Sequence, residues 1–223
     1  LCGMQDGRLR ADSLWRFFLY DVFGREVVRG TSHSKPIMQK STVSFGFNQQ
    51  GLFGSGYVPI PAVLDSPALE RVSYYDSYLF TKDGRAARRI VGLLDGLNAT
   101  PYKNPRRQSM KTGEVIATSD GRHLIRVFLY DDDMRLCAAA TLLPDGKYTE
   151  ERTAYTFTGQ PQSTVARIID GERRFTFVTT NKYDSTGKLA SVTLTPPDGA
   201  ELNVARNTYD RLGRVSRMSR GTG

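Results

Sequence analysis

A short pattern that recurs along the chain constrains its fold more than any other feature of the sequence. Four tyrosines, each at the end of a β-prone stretch, lie 25, 28 and 26 residues apart: Tyr130, Tyr155, Tyr183 and Tyr209. Upstream, Tyr20, Tyr75 and Tyr130 are each 55 residues apart, about two such periods. A fixed period of this length indicates a repeat architecture, in which each unit buries its apolar face against its neighbours.

Each repeat contains two turn signals. In YDSTGK and YDRLGR, Asp184 and Asp210 can accept hydrogen bonds from backbone N–H groups two residues on. The glycines of these turns, Gly187 and Gly213, can adopt the positive φ that closes a tight turn. Pro-Asp-Gly or Asp-Gly turns lie halfway along each period, at 144–146, 170–171 and 197–199. The sequence therefore predicts a unit of strand, Pro-Asp-Gly turn, strand and Tyr-Asp turn.

Between two such turns, apolar and polar residues alternate along the chain, as they do in a half-buried strand. Within LASVTLT, Ala190, Val192 and Leu194 fall on one face, opposite mainly polar residues. A single hairpin cannot bury such a face, so successive hairpins are expected to pair into one sheet. We therefore predict an all-β fold of antiparallel β-hairpin repeats that form a long meandering or coiled sheet. At most one short helix is expected, near 86–94 in the N-terminal half.

The two halves of the chain differ in regularity. We predict a regular β-meander over 109–223 and, over 1–108, a degenerate form of the same array with insertions rich in Gly, Pro and aromatic residues. A soft boundary is expected near 100–110, in NATPYKNPRRQ. Because the chain begins with Leu1, we expect a segment of a longer protein, whose targeting signal lies elsewhere. We also expect its first and last strands to lie at sheet edges.

The motif Tyr-Asp-x-x-Gly-Arg/Lys occurs in full three times, at 20–25, 183–188 and 209–214. At this period it resembles the YD repeats of the bacterial Rhs family, to which repeats of the teneurins are related. The resemblance covers 110–220 well and 1–80 in patches. The residues that carry it are Tyr20, Asp21, Gly24, Arg25, Tyr183, Asp184, Gly187, Lys188, Tyr209, Asp210, Gly213 and Arg214.

This resemblance implies a structural function. In relatives, a ribbon of this kind coils into a wall around a cargo segment, often a toxin at the C-terminus. It implies an extracellular or cell-surface location, adjoining repeats of the same polypeptide as partners, and an enclosed C-terminal cargo as a further candidate. The family's C-terminal core region is not recognisable here, so self-cleavage and toxicity are not expected. Our leading hypothesis is a non-enzymatic wall or scaffold segment of a large exported or cell-surface protein.

Three turns depart from the motif. Met134 stands at the glycine position of YDDDMR, Thr156 replaces the aspartate in YTFTGQ, and Leu79 replaces the glycine in YYDSYL. These changes remove either the residue that favours positive φ or the side chain that caps the turn. We therefore expect turns of another type or length at all three positions.

Aromatic residues in the N-terminal half have two interpretations. They can form a platform on which sugar rings stack, because aromatic faces combine apolar area with polar tips. The candidate stacking residues are Tyr74, Tyr75, Tyr78 and Phe80, accompanied by Phe45, Phe47, Phe53 and Tyr57. The alternative, which we favour, is that most of them cover the core beneath Gly-rich loops. A module that binds carbohydrate or a surface partner is therefore our second hypothesis.

The sequence disfavours catalytic and metal functions. A repeat array places equivalent aspartates a strand pair apart instead of in one pocket. The only histidines, His33 and His123, are expected in a polar loop and on a strand surface. The run of three aspartates at 131–133 lacks the spacing of a calcium loop, and Cys2 and Cys137 are too few for a zinc site. We predict no catalytic residue, no metal and no cofactor.

Charge and hydropathy restrict the remaining function classes. The net charge of +8 invites a nucleic-acid function, but the basic residues are scattered along the chain, as on a solvated sheet face. We therefore disfavour a nucleic-acid partner. No run approaches the roughly 18 apolar residues of a spanning helix, so no membrane span is predicted in this segment.

Overall fold

The structure is a computed structural model that covers most of the repeat array. It describes residues 14–38, 42–46, 51–58, 62–81 and 109–221. The helix predicted near 86–94 lies wholly outside these residues, and the boundary predicted near 100–110 lies mostly outside them. Both therefore stay predictions.

The chain divides into two compact units. The N-terminal unit extends to Phe128 and includes Leu142–Pro144. The C-terminal unit comprises Leu129–Thr141 and the residues from Asp145 onwards.

Strands make up most of the described residues, and the helical elements among them are two short 3-10 turns, Leu52–Gly54 and Leu79–Thr81. In chain order the strands are β1 (Trp15–Tyr20), β2 (Glu26–Ser32), β3 (Ile37–Met38), β4 (Ser44–Phe45), β5 (Tyr57–Val58), β6 (Ala62–Val63), β7 (Ala68–Tyr75), β8 (Lys111–Ala117), β9 (His123–Tyr130), β10 (Leu136–Leu142), β11 (Tyr148–Tyr155), β12 (Pro161–Asp170), β13 (Arg173–Tyr183), β14 (Leu189–Thr195), β15 (Leu202–Tyr209) and β16 (Val215–Arg220). Twelve of them form one antiparallel sheet in the order β1-β2-β7-β8, followed consecutively by β9 to β16. The predicted all-β fold of antiparallel hairpins is confirmed.

An insertion separates β2 from β7 in sequence but not in the sheet. β2 pairs directly with β7, from Val28 opposite Val72 to Thr31 opposite Ala68. The inserted residues form two small ribbons of their own, in which β3 pairs with β6 and β4 pairs with β5. The insertion therefore leaves the order of the main sheet intact.

Five-residue turns of one kind close the hairpins of the C-terminal unit at their Tyr-Asp ends. In the turn at 184–188, the N–H of Gly187 donates to the carbonyl of Asp184 at 3.0 Å, and the N–H of Asp184 donates to the carbonyl of Lys188 at 2.9 Å. Gly187 has a φ of 80° and Gly213 a φ of 79°, so the predicted positive φ is confirmed at both. The register shifts immediately before each tyrosine. The first and last residues of the five are hydrogen-bonded to each other, so three residues form the loop between them. A left-handed glycine beside a bulge is typical of such three-residue hairpin loops.

The Pro-Asp-Gly segments close the other ends of the hairpins, as predicted. Gly146 lies between β10 and β11 with a φ of 84°, and Gly199 lies between β14 and β15 with a φ of 82°. The side chains of Asp145 and Asp198 cap these turns by accepting hydrogen bonds, each at 3.1 Å, from N–H groups two residues on. The hairpin unit of strand, turn, strand and turn is therefore present in the C-terminal unit.

Two of the three departures from the motif leave the turn unchanged, so our expectation was wrong there. Met134 adopts a φ of 62°, and its N–H donates to the carbonyl of Asp131 at 3.1 Å, as glycine does elsewhere. The hydroxyl of Thr156 replaces the missing carboxylate by accepting the N–H of Gln160 at 3.1 Å. Pairing of the flanking strands imposes this turn on residues that do not favour it. At Leu79 the expectation is confirmed, because a 3-10 turn begins there.

The N-terminal unit contains a hydrophobic core. Its buried members are Phe17, Leu19, Val27, Val28, Val43, Tyr57, Val72 and Tyr74. Full burial of a large apolar side chain contributes roughly 1.5–3 kcal/mol relative to exposure. Strand glycines make room for the aromatic rings: a Cβ on Gly30 would collide with the Phe17 ring, and one on Gly113 with the Phe80 ring. Aromatic side chains therefore pack closely against the backbone of the sheet.

The C-terminal unit is much less buried. After Glu150, every described side chain is half-buried or exposed. Several large apolar side chains are exposed on its strands, namely Ile168, Phe175, Leu202, Val204, Val215 and Met218. Contacts between neighbouring strands and turns must therefore supply much of its stability.

We predict that Met134→Gly stabilises the protein. Met134 has a φ of 62°, a conformation that costs a residue with a Cβ roughly 1–2 kcal/mol, whereas glycine costs roughly 0.5–1 kcal/mol in chain entropy. The free energy of unfolding, measured by urea denaturation, should rise by about 0.5–1 kcal/mol. Gly187→Ala is the opposite change and should lower it by about 1 kcal/mol. A loss of stability in Met134→Gly would contradict the strain assigned to this turn.

Candidate functional site

The aspartate of each complete Tyr-Asp turn binds the backbone of its own turn. Asp184 Oδ1 accepts the N–H of Thr186 at 2.8 Å and that of Lys188 at 2.9 Å. Asp210 makes the equivalent two bonds, each at 2.9 Å. These bonds stabilise the carboxylate and lower the pKa of both aspartates, chiefly through the backbone N–H of Lys188 for Asp184 and that of Arg214 for Asp210. The recurring acidic group of the motif therefore serves as a turn cap.

Three tyrosines of the C-terminal repeats are each bound to a neighbouring strand through the hydroxyl. The hydroxyl donates to the carbonyl of the first residue of that strand, at 2.8 Å from Tyr155 to Leu136, 2.7 Å from Tyr183 to Pro161 and 2.8 Å from Tyr209 to Leu189. We call these three tyrosines and the carbonyls they bind the tyrosine ladder. Tyr183 and Tyr209 therefore occupy equivalent positions in successive hairpins.

An asparagine two residues before the tyrosine shares the same carbonyl. Asn181 Nδ2 donates to the Pro161 oxygen at 2.9 Å, and Asn207 Nδ2 donates to the Leu189 oxygen at 3.1 Å. Sequence reasoning missed both residues, because a polar residue in a half-exposed strand is usually a solvated one. The recurrence of Asn-x-Tyr-Asp in NKYD and NTYD was the available signal.

The residue that ends each turn contacts the next repeat. Lys188 Nζ lies 5.3 Å from the centroid of the Tyr209 ring, and the Arg135 guanidinium lies 4.7 Å from that of Tyr155. Gln160 occupies the intervening turn, and its side-chain amide donates to the carbonyl of Gly187. A cation over an aromatic ring contributes roughly 0.5–1 kcal/mol at exposed sites. Each turn is therefore connected to the hairpin that follows it.

The first Tyr-Asp motif, in the N-terminal unit, makes related contacts. Arg25 forms ion pairs with Asp21 at 2.7 Å and with Asp76 at 2.8 Å, and it lies 4.4 Å from the centroid of the Tyr75 ring. The Tyr75 hydroxyl donates to the carbonyl of Glu26, the first residue of β2, at 3.4 Å. The ring of this candidate stacking residue is thus in contact with a guanidinium. The other motif residues are Tyr20, which ends β1, and Gly24, whose φ is 75°.

The other three candidate stacking residues lie in or against the core. The side chains of Tyr74 and Tyr78 are only 7% and 5% exposed. Phe80 stacks on Tyr74, with ring centroids 4.1 Å apart and planes 1° apart. The Tyr78 hydroxyl donates to the carbonyl of Phe128, and burial raises the pKa of Tyr74. Stacking of a sugar on the face of Tyr74 that Phe80 covers, or on Tyr78, would require displacing this packing.

A cavity of about 280 Å³ lies within the N-terminal unit. Its aromatic walls are Phe45, Phe53, Tyr74 and Phe80, and its polar lining includes Ser55 and His123. The side chain of Phe53 is 36% exposed, and its backbone has a φ of 58° and a ψ of 26°. A bulky residue rarely adopts this left-handed conformation, and such strain concentrates at functional sites. Phe53 is therefore the most exposed of the four aromatic wall residues, and the glycines of GLFGSG were the signal for its unusual backbone.

Histidines and aspartates do not converge on one site in the described part of the chain. His33 follows β2 and His123 begins β9, and both are exposed. Asp131 caps its own turn by accepting the N–H of Asp133 at 3.0 Å and that of Arg135 at 2.9 Å. Within the described ranges, no three His, Cys, Asp or Glu side chains are grouped so that they could hold a metal ion.

Two buried carboxylates in the sheet are each paired with an arginine on the neighbouring strand. Glu114 lies opposite Arg126 at 3.2 Å, and Glu150 lies opposite Arg167 at 2.7 Å. Burial opposes the charge of Glu114, but a hydrogen bond from Lys111 and the nearby cations outweigh it and lower the pKa of Glu114. A glutamate directly opposite an arginine therefore forms a close ion pair in this sheet.

Comparison with known proteins adds no relative from which a function could be inferred. No family model matches the chain, and no curated protein shows a significant match to it. In the described ranges, no helix is long and apolar enough to span a membrane. Function must therefore be inferred from the contacts of the described residues.

Acid should destabilise the C-terminal unit through Asp184 and Asp210. Their pKa values are lowered by folding, whereas an aspartate in the unfolded chain titrates near about 3.9. Such a group stabilises the fold above the unfolded pKa, and this contribution is lost as the pH falls through the folded pKa. Urea denaturation should therefore give a free energy of unfolding that falls below about pH 4. A double variant, Asp184→Asn with Asp210→Asn, keeps the Oδ1 acceptor of each turn but cannot titrate. Its free energy of unfolding should fall less steeply with acid, and equal slopes would contradict this assignment.

Proposed function

We propose that this chain is a non-enzymatic structural segment of a large exported or cell-surface protein built from YD repeats, in which it forms part of a wall or scaffold. The observation that carries the proposal is the tyrosine ladder, because it recurs with the hairpins and binds each tyrosine to the neighbouring strand. Adjoining repeats of the same polypeptide are then the natural partners. An enclosed C-terminal cargo is a further partner of such a wall.

The way in which the repeated residues are used supports a structural function. The aspartate caps the turn, the glycine supplies the positive φ, the tyrosine binds a carbonyl, and the turn cation contacts the next ring. Catalysis instead requires titratable groups that converge in one pocket. Here each set of motif residues serves its own hairpin and the next one, as expected for a repeat scaffold.

The energetics of the C-terminal unit agree with this function. One hydrogen bond contributes about 1 kcal/mol to stability, and natural domains are stable by only about 5–15 kcal/mol. Beyond Glu150 no described side chain is fully buried, so a contact repeated in successive hairpins is a large fraction of what holds them together. Neighbouring repeats would therefore stabilise one another.

Tyr183→Phe tests the ladder at its middle position. The change removes the bond to the Pro161 carbonyl and should lower the free energy of unfolding by about 1 kcal/mol. Hydrogen exchange measured by mass spectrometry should become faster in β12 to β15, because the hairpins on both sides of Tyr183 depend on it.

Tyr148→Phe is the matched control. The Tyr148 hydroxyl is buried and has no hydrogen-bond partner among the described residues. Its removal should therefore leave stability unchanged or raise it. An equal loss of stability in both variants, or faster exchange confined to β13 in Tyr183→Phe, would contradict the scaffold proposal.

The cavity beside Phe53 favours one alternative, a module that binds carbohydrate. Phe53 offers a partly exposed ring at a strained position, and Ser55 and His123 add polar atoms to the lining. Sugar rings combine an apolar face with hydroxyl groups, which matches a lining of aromatic rings and a few polar atoms. This function would use the N-terminal unit and not the ladder.

A glycan array with the wild-type protein, Phe53→Ala and Phe157→Ala separates the two functions. Phe157 is a fully exposed phenylalanine in a turn of the C-terminal unit, so it controls for nonspecific adsorption to an exposed ring. A scaffold needs no glycan, and we expect no saturable binding. Saturable binding that is lost in Phe53→Ala and kept in Phe157→Ala would make the binding module the better proposal.

A further inference from the structure

One edge of β16 is open within the described part of the chain. β16 pairs with β15, and no other described strand pairs with it. All six of its residues are exposed. The backbone N–H and C=O groups along the other edge are therefore available to an added strand, as in β-strand addition by extended peptides.

The next position of the tyrosine ladder would fall beside this edge. Arg214 ends the last turn just as Arg135 and Lys188 end earlier ones, but no described aromatic ring lies under it. Val215 begins β16 as Leu189 begins β14, and the Leu189 carbonyl binds a tyrosine and an asparagine. The edge thus offers the cation and the carbonyl that a further Asn-x-Tyr-Asp segment would use.

The register of an earlier strand pair indicates what would lie opposite β16. Ser191, two residues after the start of β14, lies opposite Arg206, three residues before Tyr209. Arg217 lies two residues after the start of β16. In the same register, a strand added beside β16 and ending in Asn-x-Tyr-Asp would place the residue three before its tyrosine opposite Arg217.

Charge favours an acidic residue at that position. Arg217 has no ion pair with any described residue, whereas a glutamate opposite an arginine forms a close pair elsewhere in this sheet. The stretch 205–221 contains one acidic residue, Asp210, and the arginines Arg206, Arg211, Arg214, Arg217 and Arg220. An occupant with a cation opposite Arg217 would be repelled, because like charges directly opposite each other destabilise a sheet.

We propose that the open edge of β16 binds an extended segment that ends in Asn-x-Tyr-Asp and carries a carboxylate three residues before its tyrosine. The tyrosine ring would lie under Arg214, its hydroxyl would donate to the Val215 carbonyl, and the carboxylate would pair with Arg217. This inference rests on the proposed scaffold function and adds to it a charge rule that selects the neighbouring strand.

The test uses the full chain and two peptides. One peptide has the sequence of residues 201–210, ELNVARNTYD, and the other carries Arg206→Glu. Binding is measured from the amide chemical shifts of β16 in the ¹⁵N-labelled protein. The Arg206→Glu peptide should bind roughly threefold to tenfold more tightly, since it replaces a repulsive cross-strand pair with an attractive one. Arg217→Glu in the protein should reverse the order of the two peptides.

Arg211→Glu is the matched control, because it makes the same change in net charge in the turn before β16 and not on its edge. It should keep the peptide order of the wild-type protein. Absence of peptide-induced shifts in β16, an order that Arg217→Glu leaves unchanged, or equal reversal by Arg211→Glu would overturn the inference. The scaffold proposal is tested separately, by the stability and hydrogen exchange of Tyr183→Phe. Absence of peptide binding at β16 would therefore overturn this inference and leave the scaffold proposal intact.

Discussion

The hairpins of the C-terminal unit depend on one interaction, the capping of a five-residue turn by the side chain of its first residue while its fourth residue adopts a left-handed conformation. This turn sets the bulge before each tyrosine and, with it, the register of the two strands. A slip of one residue would exchange the two faces of a strand. In a sheet with little buried core, apolar burial alone would not correct such a slip, so the capped turn and the pairing of its flanking strands specify the register together.

Correct register then brings the remaining motif residues together. It places the Tyr183 hydroxyl against the Pro161 carbonyl and Lys188 over the Tyr209 ring. The motif thus acts at two ranges: the aspartate and glycine act within the turn, and the tyrosine and the cation act between strands. A chain built in this way can add hairpins without enlarging a core, which suits the proposed wall.

The N-terminal unit is stabilised differently. Its aromatic rings pack on strand glycines, and the insertion between β2 and β7 contributes Tyr57 and Val43 to the core. The cavity and the strained Phe53 also belong to this insertion and the strands near it. The N-terminal unit therefore offers an aromatic cavity, whereas the C-terminal unit offers strand edges and repeated contacts.

The sequence by itself determined what acts within a few residues. The hairpin period, the all-β class and the positive φ of Gly187 and Gly213 follow from turn preferences and from strand alternation. Local preferences failed at Met134 and Thr156, because strand pairing imposed the common turn on residues whose own preferences predicted another. Only the tertiary structure decided that Tyr74 is covered by Phe80, that Asn181 shares the carbonyl bound by Tyr183, and that β2 pairs with β7. Those contacts join residues from separate strands, and alternation along one strand does not specify which strand lies beside it or in what register.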